Sequence, residues 1–445
     1  MSIRDYMMRF CAGLLVLAFA MIFIRWFTVV VLIDHCKWDN ALTRLVLWDN
    51  WRLPERIHPR EKDIDWAGLY PFLEPQPERS LLTEIRQQQN KIREEQARIA
   101  SWSETYFPGY TNIVETGRRY DQLIGWDIRP LTIGSVQVLA DGWLFFPTLP
   151  FNIQEYINET ASLADFCKQQ GAKFLFVPNP PALDTATDST FIGQLDFSLQ
   201  KKDAMLQGLQ ARGIATLDLY PYMHKDFPDT PYHQLFFRTD HHWLPTTGLW
   251  AATHIAQWLE TAGDIPFPKD RLSLASYRQE HYPAYFLGSQ GKRMTTVLAK
   301  PDDFMLLYPL FPTCLHYEIP GLGIDTYGDF SITYDMHELE HKDFYGSNPY
   351  AAYNYADCSL IRIENFAPEV ADVKILMIKD SFANSVAPFL ALCVRQMDII
   401  DPRWFKGSIR RYINETHPDF VLVLHTIELD YPLERNSHQD DYDFR

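Results

Sequence analysis

Two short polar motifs contain the residue types that nucleophilic catalysis needs. The first spans residues 379–384 (KDSFAN) and follows the apolar run 374–379 (KILMIK), so Ser381 lies between a predicted strand and a predicted helix. A serine at the carboxyl end of a parallel strand lies where open α/β sheets bind their ligands, and the N–H groups of a helix amino terminus stabilise developing negative charge. Ser381 is therefore a candidate nucleophile, although Asp and Ser at such a junction also act as ordinary helix caps.

The second motif spans residues 238–243 (RTDHHW). A carboxylate at Asp240 can fix the tautomer of His242, whose other ring nitrogen would then take a proton from a hydroxyl. His241 is the other candidate base, but the Asp-x-His spacing favours His242. Asp240 and the two histidines could instead join His224 or His233 as metal ligands. Because the spacing matches no zinc signature, we predict neither a metal nor a cofactor.

Apolar strands alternate with amphipathic helices through much of the chain. Strands are predicted at 173–177, 374–379, 397–400 and 419–425, and helices at 152–170, 203–212, 246–259, 383–394 and 405–413. This alternation predicts an α/β fold, a three-layer sandwich with a mainly parallel sheet. Residues 265–372 break the pattern with Pro, Tyr and Gly, which predicts an irregular insertion between the two motifs.

The first 35 residues are predicted to form a transmembrane signal anchor. The apolar stretch 10–33 is interrupted by a charged residue only at Arg25, away from its centre, and is long enough to cross a bilayer. Basic residues before it and acidic residues after it place the amino terminus in the cytoplasm and the body of the chain outside. The alternative is a cleaved signal peptide, because Ala18-Phe19-Ala20 matches a cleavage site.

The remaining boundaries come from composition. Residues 36–105 are predicted to be a juxtamembrane linker with a stalk helix, residues 106–427 the main domain, and residues 428–445 an acidic tail. The formal net charge of −16 argues against a nucleic-acid partner. Six cysteines without metal-site spacing leave room for one disulfide, between Cys314 and Cys358, in an oxidising compartment.

The sequences of these motifs and their order along the chain resemble those of a known family. The string Asp240-His241-His242-Trp243 resembles the name-giving motif of the DHHW proteins, which are similar to the SGNH-hydrolase-like domains of the alginate O-acetylation proteins. Residues 141–145 (DGWLF), 344–353 (FYGSNPYAAY), 375–392 and 399–403 (IIDPR) resemble further stretches of that family. The likeness extends from about residue 136 to residue 427 and implies an SGNH-hydrolase-like fold in which the Asp/His motif precedes the serine.

The resemblance implies a role for each motif residue. Ser381 corresponds to the nucleophile, His242 to the general base and Asp240 to its orienting carboxylate, with the Ser381 backbone amide as the first oxyanion donor. Further candidates for oxyanion or substrate binding are Asn179, Asn348, Asn384, His241 and Trp243. The sequence departs from the common esterase pattern at Lys379, where a glycine often stands.

The family also implies an activity. It predicts an extracytoplasmic serine O-acyltransferase, O-acetyl by analogy, or an esterase, acting on exported or cell-surface polysaccharide at the cell membrane. A polytopic membrane-bound O-acyltransferase would supply the acyl group. The alternative is a catalytically silent glycan-binding or scaffold subunit of a polysaccharide modification or export complex.

Overall fold

The computed structural model describes residues 115–117, 119, 120, 136–139, 141–148, 152–185, 188, 196–427 and 444. The predicted signal anchor (1–35), the linker with its stalk helix (36–105) and the tail except residue 444 lie outside this part of the chain. Residues Glu115–Arg445 form one compact unit. Among the described residues, we find no helix with the length and apolar character needed to span a bilayer.

The strands and helices alternate along the chain in the predicted manner. The strands are β1 Gln137–Val138, β2 Leu144–Phe145, β3 Lys173–Pro178, β4 Tyr277–Phe286, β5 Asp302–Pro309, β6 Leu315–Ile319, β7 Ile324–Gly328, β8 Leu360–Asn365, β9 Ala371–Lys379, β10 Val394–Ile400 and β11 Phe420–His425. The α-helices are α1 Gln154–Gln169, α2 Ser198–Gln210, α3 Tyr220–Asp226, α4 Pro245–Gly263, α5 Ser289–Leu298, α6 Ala387–Ala391 and α7 Ile409–Thr416. Short 3-10 helices include Tyr232–Leu235, Pro349–Ala352 and Ser381–Ser385.

Seven of these strands form the central sheet, in the order β3-β11-β9-β10-β8-β6-β7. β3, β11, β9 and β10 are parallel, whereas β8, β6 and β7 continue the sheet in antiparallel pairs. Five of the seven strands therefore run in the same direction, which confirms the α/β class with a mostly parallel central sheet. β4 and β5 form a separate two-stranded ribbon.

Helices cover both faces of the parallel part of the sheet. In β9, Ile375 and Met377 belong to one buried cluster, together with side chains of α4 and α6. The alternate residues Leu376 and Ile378 belong to a second cluster, with side chains of α1, α2 and α7. Because successive side chains of a strand point to opposite faces, this division gives the predicted three layers.

The segment 265–372 contains more regular structure than the sequence pattern predicts. It includes the β4–β5 ribbon and contributes β6, β7 and β8 to the central sheet. The description of this segment as an irregular insertion is therefore wrong for these strands. Residues of β6 alternate between buried and partly accessible positions, and those of β7 between partly accessible and exposed ones, but the strands are short and lie near Pro- and Gly-containing turns, which obscures the pattern.

The helix predicted at 383–394 is also interrupted. The chain forms the 3-10 turn Ser381–Ser385, Val386 belongs to neither helix, and α6 begins at Ala387 with Pro388 in its first turn. Proline is favoured at the start of a helix, so Pro388 marks a new beginning rather than a continuation. Similarly, α7 begins after Ser408, whose hydroxyl caps it by accepting from the Arg411 N–H, and not at the predicted residue 405.

Candidate active site

Ser381 is the first residue of the 3-10 turn that follows β9. Asp380 caps this turn, because its Oδ1 accepts the Phe382 N–H at 3.0 Å. The same carboxylate accepts the Thr426 N–H at 2.6 Å and the Asn179 side-chain amide at 3.0 Å. Since Thr426 directly follows β11, these bonds attach the serine turn to the carboxyl ends of two neighbouring parallel strands.

Asp240 and His242 lie in a turn that ends just before α4. The carboxylate Oδ1 of Asp240 accepts the His242 backbone N–H at 3.1 Å and lies 2.5 Å from its ring Nδ1. The other ring nitrogen, Nε2, lies 2.7 Å from the Ser381 hydroxyl. The structure therefore brings a carboxylate, an imidazole and a hydroxyl into one continuous hydrogen-bonded chain, although 139 residues separate His242 from Ser381.

Neighbouring groups hold both members of the Asp/His pair. The Ser289 N–H, at the start of α5, donates to the free Oδ2 of Asp240 at 2.7 Å. The ring of Tyr350 stacks on the His242 imidazole, with centroids 4.0 Å apart, and its hydroxyl lies 3.1 Å from the Ser381 carbonyl oxygen. Tyr350 thus contacts both halves of the hydrogen-bonded chain.

The electrostatics of the pair favour an ionised carboxylate. Burial alone would raise the pKa of Asp240, but the adjacent imidazoles of His241 and His242 and the bonds it accepts hold its pKa well below the ordinary value. Burial, with the neighbouring His242, lowers the pKa of His241 to about 4. A carboxylate that stays ionised can orient an imidazole and stabilise its protonated form.

The predicted asparagine donors are not brought to the Ser381 hydroxyl. The Asn179 amide nitrogen donates to Asp380 and Thr426, and Asn384 donates to Asp357 while its oxygen accepts from Lys379. Asn348 is exposed and directly precedes the turn that carries Tyr350. The Ser381 backbone N–H, by contrast, has no hydrogen-bond partner among the residues that the structure describes, so it remains available as an oxyanion donor.

The other two substrate-binding candidates have different surroundings. Trp243 is completely buried, and its indole N–H lies 3.0 Å from both the Phe382 carbonyl oxygen and the Ser385 hydroxyl. It is a core residue that supports the serine turn, so its assignment to substrate binding is wrong. His241 is partly accessible, and its ring centroid lies 3.9 Å from that of His242.

The structure gives arguments both for and against a metal site at Asp240, His241 and His242. Asp240, His241 and His242 offer ligand atoms within 4.8 Å of one another. Both ring nitrogens of His242 are nevertheless already engaged, with Asp240 and Ser381, so coordination would have to break the hydrogen-bonded chain. The proposed additional ligands are engaged with other carboxylates: His224 contacts Asp184 at 3.3 Å, and His233 contacts Asp188 at 2.6 Å.

Lys379 belongs to a buried cluster of charged side chains that the motifs did not predict. Its side chain is fully buried, and its Nζ lies 2.9 Å from Asp357, 3.3 Å from Asp401 and 2.8 Å from the Asn384 side-chain oxygen. Arg403 contacts the same two carboxylates at 3.0 Å and 2.6 Å. This arrangement gives two positive and two negative charges under the serine turn. The lysine at the position of a common glycine was the sequence signal for it.

The four cysteines in the described part of the chain are free thiols: Cys167, Cys314, Cys358 and Cys393. The disulfide that the sequence allows between Cys314 and Cys358 is therefore not formed in this structure. Burial raises the pKa of Cys358 to about 11, which leaves this thiol protonated at neutral pH.

Comparison with known proteins supports the family resemblance. Residues 136–283 match the family model for the SGNH hydrolase-like domain of the acetyltransferase AlgX. This segment contains the Asp240–Trp243 motif and ends before Ser381. No curated protein is significantly similar to the chain in sequence.

Solved structures with a similar fold include PatB1 from Bacillus cereus, determined with a sulfonyl adduct. It is 20% identical to this chain, with a TM-score of 0.55, and the alignment covers 65% of this chain and 94% of that one. A DHHW family protein from Eubacterium siraeum is 17% identical, with a TM-score of 0.48 and coverage of 66% and 90%. The O-acetyltransferase domain of Pseudomonas putida AlgJ is 13% identical, with a TM-score of 0.41 and coverage of 67% and 94%. The match over residues 136–283 confirms that this chain resembles the SGNH hydrolase-like domains of the alginate O-acetylation proteins.

Proposed function

We propose that this protein is a serine O-acyltransferase or esterase that acts on polysaccharide, with Ser381 as nucleophile, His242 as general base and Asp240 as its orienting carboxylate. The observation that carries the proposal is the continuous chain of hydrogen bonds from Asp240 through His242 to Ser381. A short contact between nucleophile and base, with the base oriented by a third group, is the arrangement that activates a serine hydroxyl.

The proposed reaction has two half-reactions. In the first, His242 Nε2 takes the Ser381 proton as Oγ attacks the acyl carbon of the donor, and it then protonates the departing group. In the second, the same nitrogen takes a proton from an acceptor hydroxyl, whose oxygen attacks the acyl-serine; Ser381 Oγ leaves and recovers a proton. With a sugar hydroxyl as acceptor the reaction is transfer, and with water it is hydrolysis. The Ser381 N–H is the proposed oxyanion donor in both.

The acyl group, the partner and the location extend the same proposal. The match to an acetyltransferase domain supports acetyl as the transferred group. We propose that a polytopic membrane-bound O-acyltransferase delivers it, and that an uncleaved signal anchor holds the domain at the outer side of the cell membrane. A tether of this kind raises the effective concentration of the domain near both its donor and an exported polymer.

The test uses the full-length protein, p-nitrophenyl acetate as an activated ester, and an arylsulfonyl fluoride as a covalent probe. We expect the probe to modify Ser381 and to abolish hydrolysis, and we expect Ser381→Ala to lose both reactions. Ser331→Ala, at an exposed serine in another 3-10 turn, is the matched control and should react like the unaltered protein. Hydrolysis that persists in Ser381→Ala would remove Ser381 from the mechanism and favour a non-catalytic glycan-binding subunit.

A further inference from the structure

Aromatic rings cover both faces of the His242 imidazole. The ring of Tyr350 lies nearly parallel to it, with an interplanar angle of 17° and centroids 4.0 Å apart. The ring of His241 is tilted by 37°, with centroids 3.9 Å apart. Within the part of the chain that the structure describes, the Tyr350 and His241 rings do not touch each other, so they lie on opposite sides of the imidazole. The imidazole is therefore enclosed between two rings, while its nitrogens contact Asp240 and Ser381.

The Tyr350 hydroxyl attaches this ring to the serine turn. Its oxygen lies 3.1 Å from the Ser381 carbonyl oxygen, and 3.2 Å from both the Phe382 carbonyl oxygen and the Ser385 hydroxyl. Burial raises the pKa of Tyr350 well above the ordinary value, so the phenol keeps its proton and can donate it to these acceptors. One side chain thus packs on the proposed base and is anchored to the turn that carries the proposed nucleophile.

The charge on His242 changes during the proposed reaction. The ring is uncharged before it takes the Ser381 proton and is an imidazolium afterwards. The face of an aromatic ring is electron-rich and attracts a cation that lies within about 6 Å of its centroid. The separation of 4.0 Å between the Tyr350 and His242 rings is well inside that range. The Tyr350 ring therefore interacts more strongly with the protonated form of His242 than with the neutral form.

The ring on the other face does not oppose this charge. Burial, together with the neighbouring His242, lowers the pKa of His241 to about 4, so His241 is uncharged at neutral pH. A second positive charge at this distance would repel the imidazolium. The surroundings of His242 thus accept a positive charge on both faces of the ring.

We propose that Tyr350 is a positioning residue for acyl transfer, whose ring holds the His242 imidazole toward Ser381 and stabilises the imidazolium that forms in both half-reactions. The inference rests on the proposed acyltransferase or esterase function and adds a residue that acts through the general base. An interaction that is stronger in the transition state than in the ground state lowers kcat and kcat/KM equally when it is lost, and it leaves KM unchanged.

The first experiment changes the electron density of the ring and keeps its shape. The full-length protein is made with phenylalanine, or with its mono-, di- or trifluorinated analogue, at position 350, and the hydrolysis of p-nitrophenyl acetate is measured. Each fluorine withdraws electron density from the face of the ring. We expect kcat to fall stepwise along the series, about tenfold in all, with KM unchanged. A tenfold change corresponds to about 1.4 kcal/mol, which is typical of a cation over a buried aromatic face.

The same series at position 334 is the matched control. Tyr334 is also buried, and its ring packs on Phe330 and Tyr353 in the core outside the proposed site. Its hydroxyl donates to the Leu307 carbonyl oxygen at 2.6 Å, so phenylalanine at this position also loses a hydrogen bond. We expect fluorination at position 334 to leave kcat unchanged.

The second experiment separates the ring of Tyr350 from its hydroxyl. Tyr350→Leu removes the ring, and we expect kcat to fall about tenfold with KM unchanged. Tyr350→Phe keeps the ring and should retain most of the activity. The serine turn stays anchored in this variant, because the Trp243 indole N–H lies 3.0 Å from both the Phe382 carbonyl oxygen and the Ser385 hydroxyl.

The fluorinated series decides the outcome even if Tyr350→Leu fails to fold. The inference is overturned if kcat does not respond to fluorination at position 350, because the ring would then only fill space. It is overturned equally if KM rises while kcat stays constant, because Tyr350 would then act in substrate binding. In either case, hydrolysis that still depends on Ser381 leaves the proposed function intact. The proposed function itself fails only if hydrolysis persists in Ser381→Ala, so the two failures are distinguishable.

Discussion

At the scale of single residues, the orientation of His242 depends on a carboxylate whose two oxygens are both engaged. Asp240 contacts the His242 ring through Oδ1 and accepts the Ser289 N–H through Oδ2. These bonds fix both the position of the carboxylate and the tautomer of the imidazole, with the proton on Nδ1 and the lone pair of Nε2 toward Ser381. The charge of Asp240 is thus as important for the proposed mechanism as its position.

Asp240→Asn tests that charge. The amide retains the shape of the side chain but presents an N–H where the carboxylate accepts, which favours the wrong tautomer of His242. We expect the hydrolysis of p-nitrophenyl acetate to slow by roughly 10³–10⁴-fold at neutral pH. Asp226→Asn is the matched control, because Asp226 contacts another histidine, His254, at 2.9 Å outside the proposed site. Equal rates in the two variants would contradict the assigned role of Asp240.

Lys379 stabilises the serine turn by a different effect, the neutralisation of buried carboxylates. Burial acts against its charge, but Asp357 and Asp401 raise its pKa above the ordinary value, whereas the pKa of Asp357 is lowered by Lys379 and Arg403 despite its own burial. A group with a raised pKa stabilises the fold at every pH below its unfolded pKa, and one with a lowered pKa stabilises it at every pH above its unfolded pKa. Between about pH 6 and pH 9 both contributions are therefore fully present.

Lys379→Met removes one positive charge and leaves the two buried carboxylates, of Asp357 and Asp401, with Arg403 as their remaining cation. We expect a loss of about 3–5 kcal/mol in the free energy of unfolding, measured by urea denaturation and unchanged between about pH 6 and pH 9. Arg411→Gln breaks the exposed pair with Glu415 and should leave the free energy of unfolding nearly unchanged, because solvent screens this pair. A loss in Lys379→Met as small as that of Arg411→Gln would show that the buried cluster contributes little to stability.

At the scale of elements, helix α4 approaches the serine turn unusually closely. A Cβ atom placed on Gly248 would lie 2.3 Å from the carbonyl oxygen of Ser385 and 2.5 Å from its hydroxyl. Ser385 is the last residue of the turn that Ser381 begins. The missing side chain at Gly248 therefore lets the helix that follows the Asp/His motif pack directly on the turn that carries the serine.

Gly248→Ala tests this packing. In a helix, alanine is intrinsically favoured over glycine by about 1 kcal/mol, but here the new methyl group meets a backbone oxygen that cannot move without shifting the turn. We expect overpacking to dominate, with a net destabilisation of about 1–3 kcal/mol in urea denaturation and slower ester hydrolysis.

Gly208→Ala in α2 is the matched helical control for that substitution. Its nearest neighbour would be the tip of the Ile157 side chain, at 2.7 Å, and such a group can rotate away. The cost should therefore be smaller than for Gly248→Ala, and ester hydrolysis should be retained. A stabilised and fully active Gly248→Ala protein would contradict the close packing of α4 on the serine turn.

At the scale of the whole molecule, the proposed function requires the domain to remain near a membrane. The amino-terminal apolar stretch predicts this, and the net charge of −16 disfavours a strongly anionic acceptor, because a polyanion would be repelled on average.

Deletion of residues 1–35 tests the anchor. We expect the full-length chain to sediment with membranes and to resist extraction by high salt, because about 20 apolar residues suffice to span the bilayer. The shortened chain should appear in the supernatant, whereas deletion of the acidic tail 428–445 should leave the chain with the membranes. A mature protein that begins directly after Ala20 would instead support a cleaved signal peptide.

Much of the fold was predictable because the relevant interactions are local. The apolar periodicity of α1 and α4, and the short apolar runs of β3, β9 and β11, are readable within ten to twenty residues of sequence. The antiparallel strands β6 to β8 were not readable, since short strands gain their stability from neighbours that are distant in sequence.

The proposed active site, too, was predictable from the sequence only in part. The sequence alone determined which side chains could form an acyl-transfer relay, because their chemistry and the Asp-x-His spacing are local properties of Asp240, His242 and Ser381. Only the tertiary structure decided that Ser381 meets His242, that Trp243 is core, and that Asn179 and Asn384 are engaged elsewhere. The outcomes for Ser381, Trp243 and Asn179 depend on contacts between segments more than a hundred residues apart, which the sheet order and helix packing establish and residue identities by themselves do not.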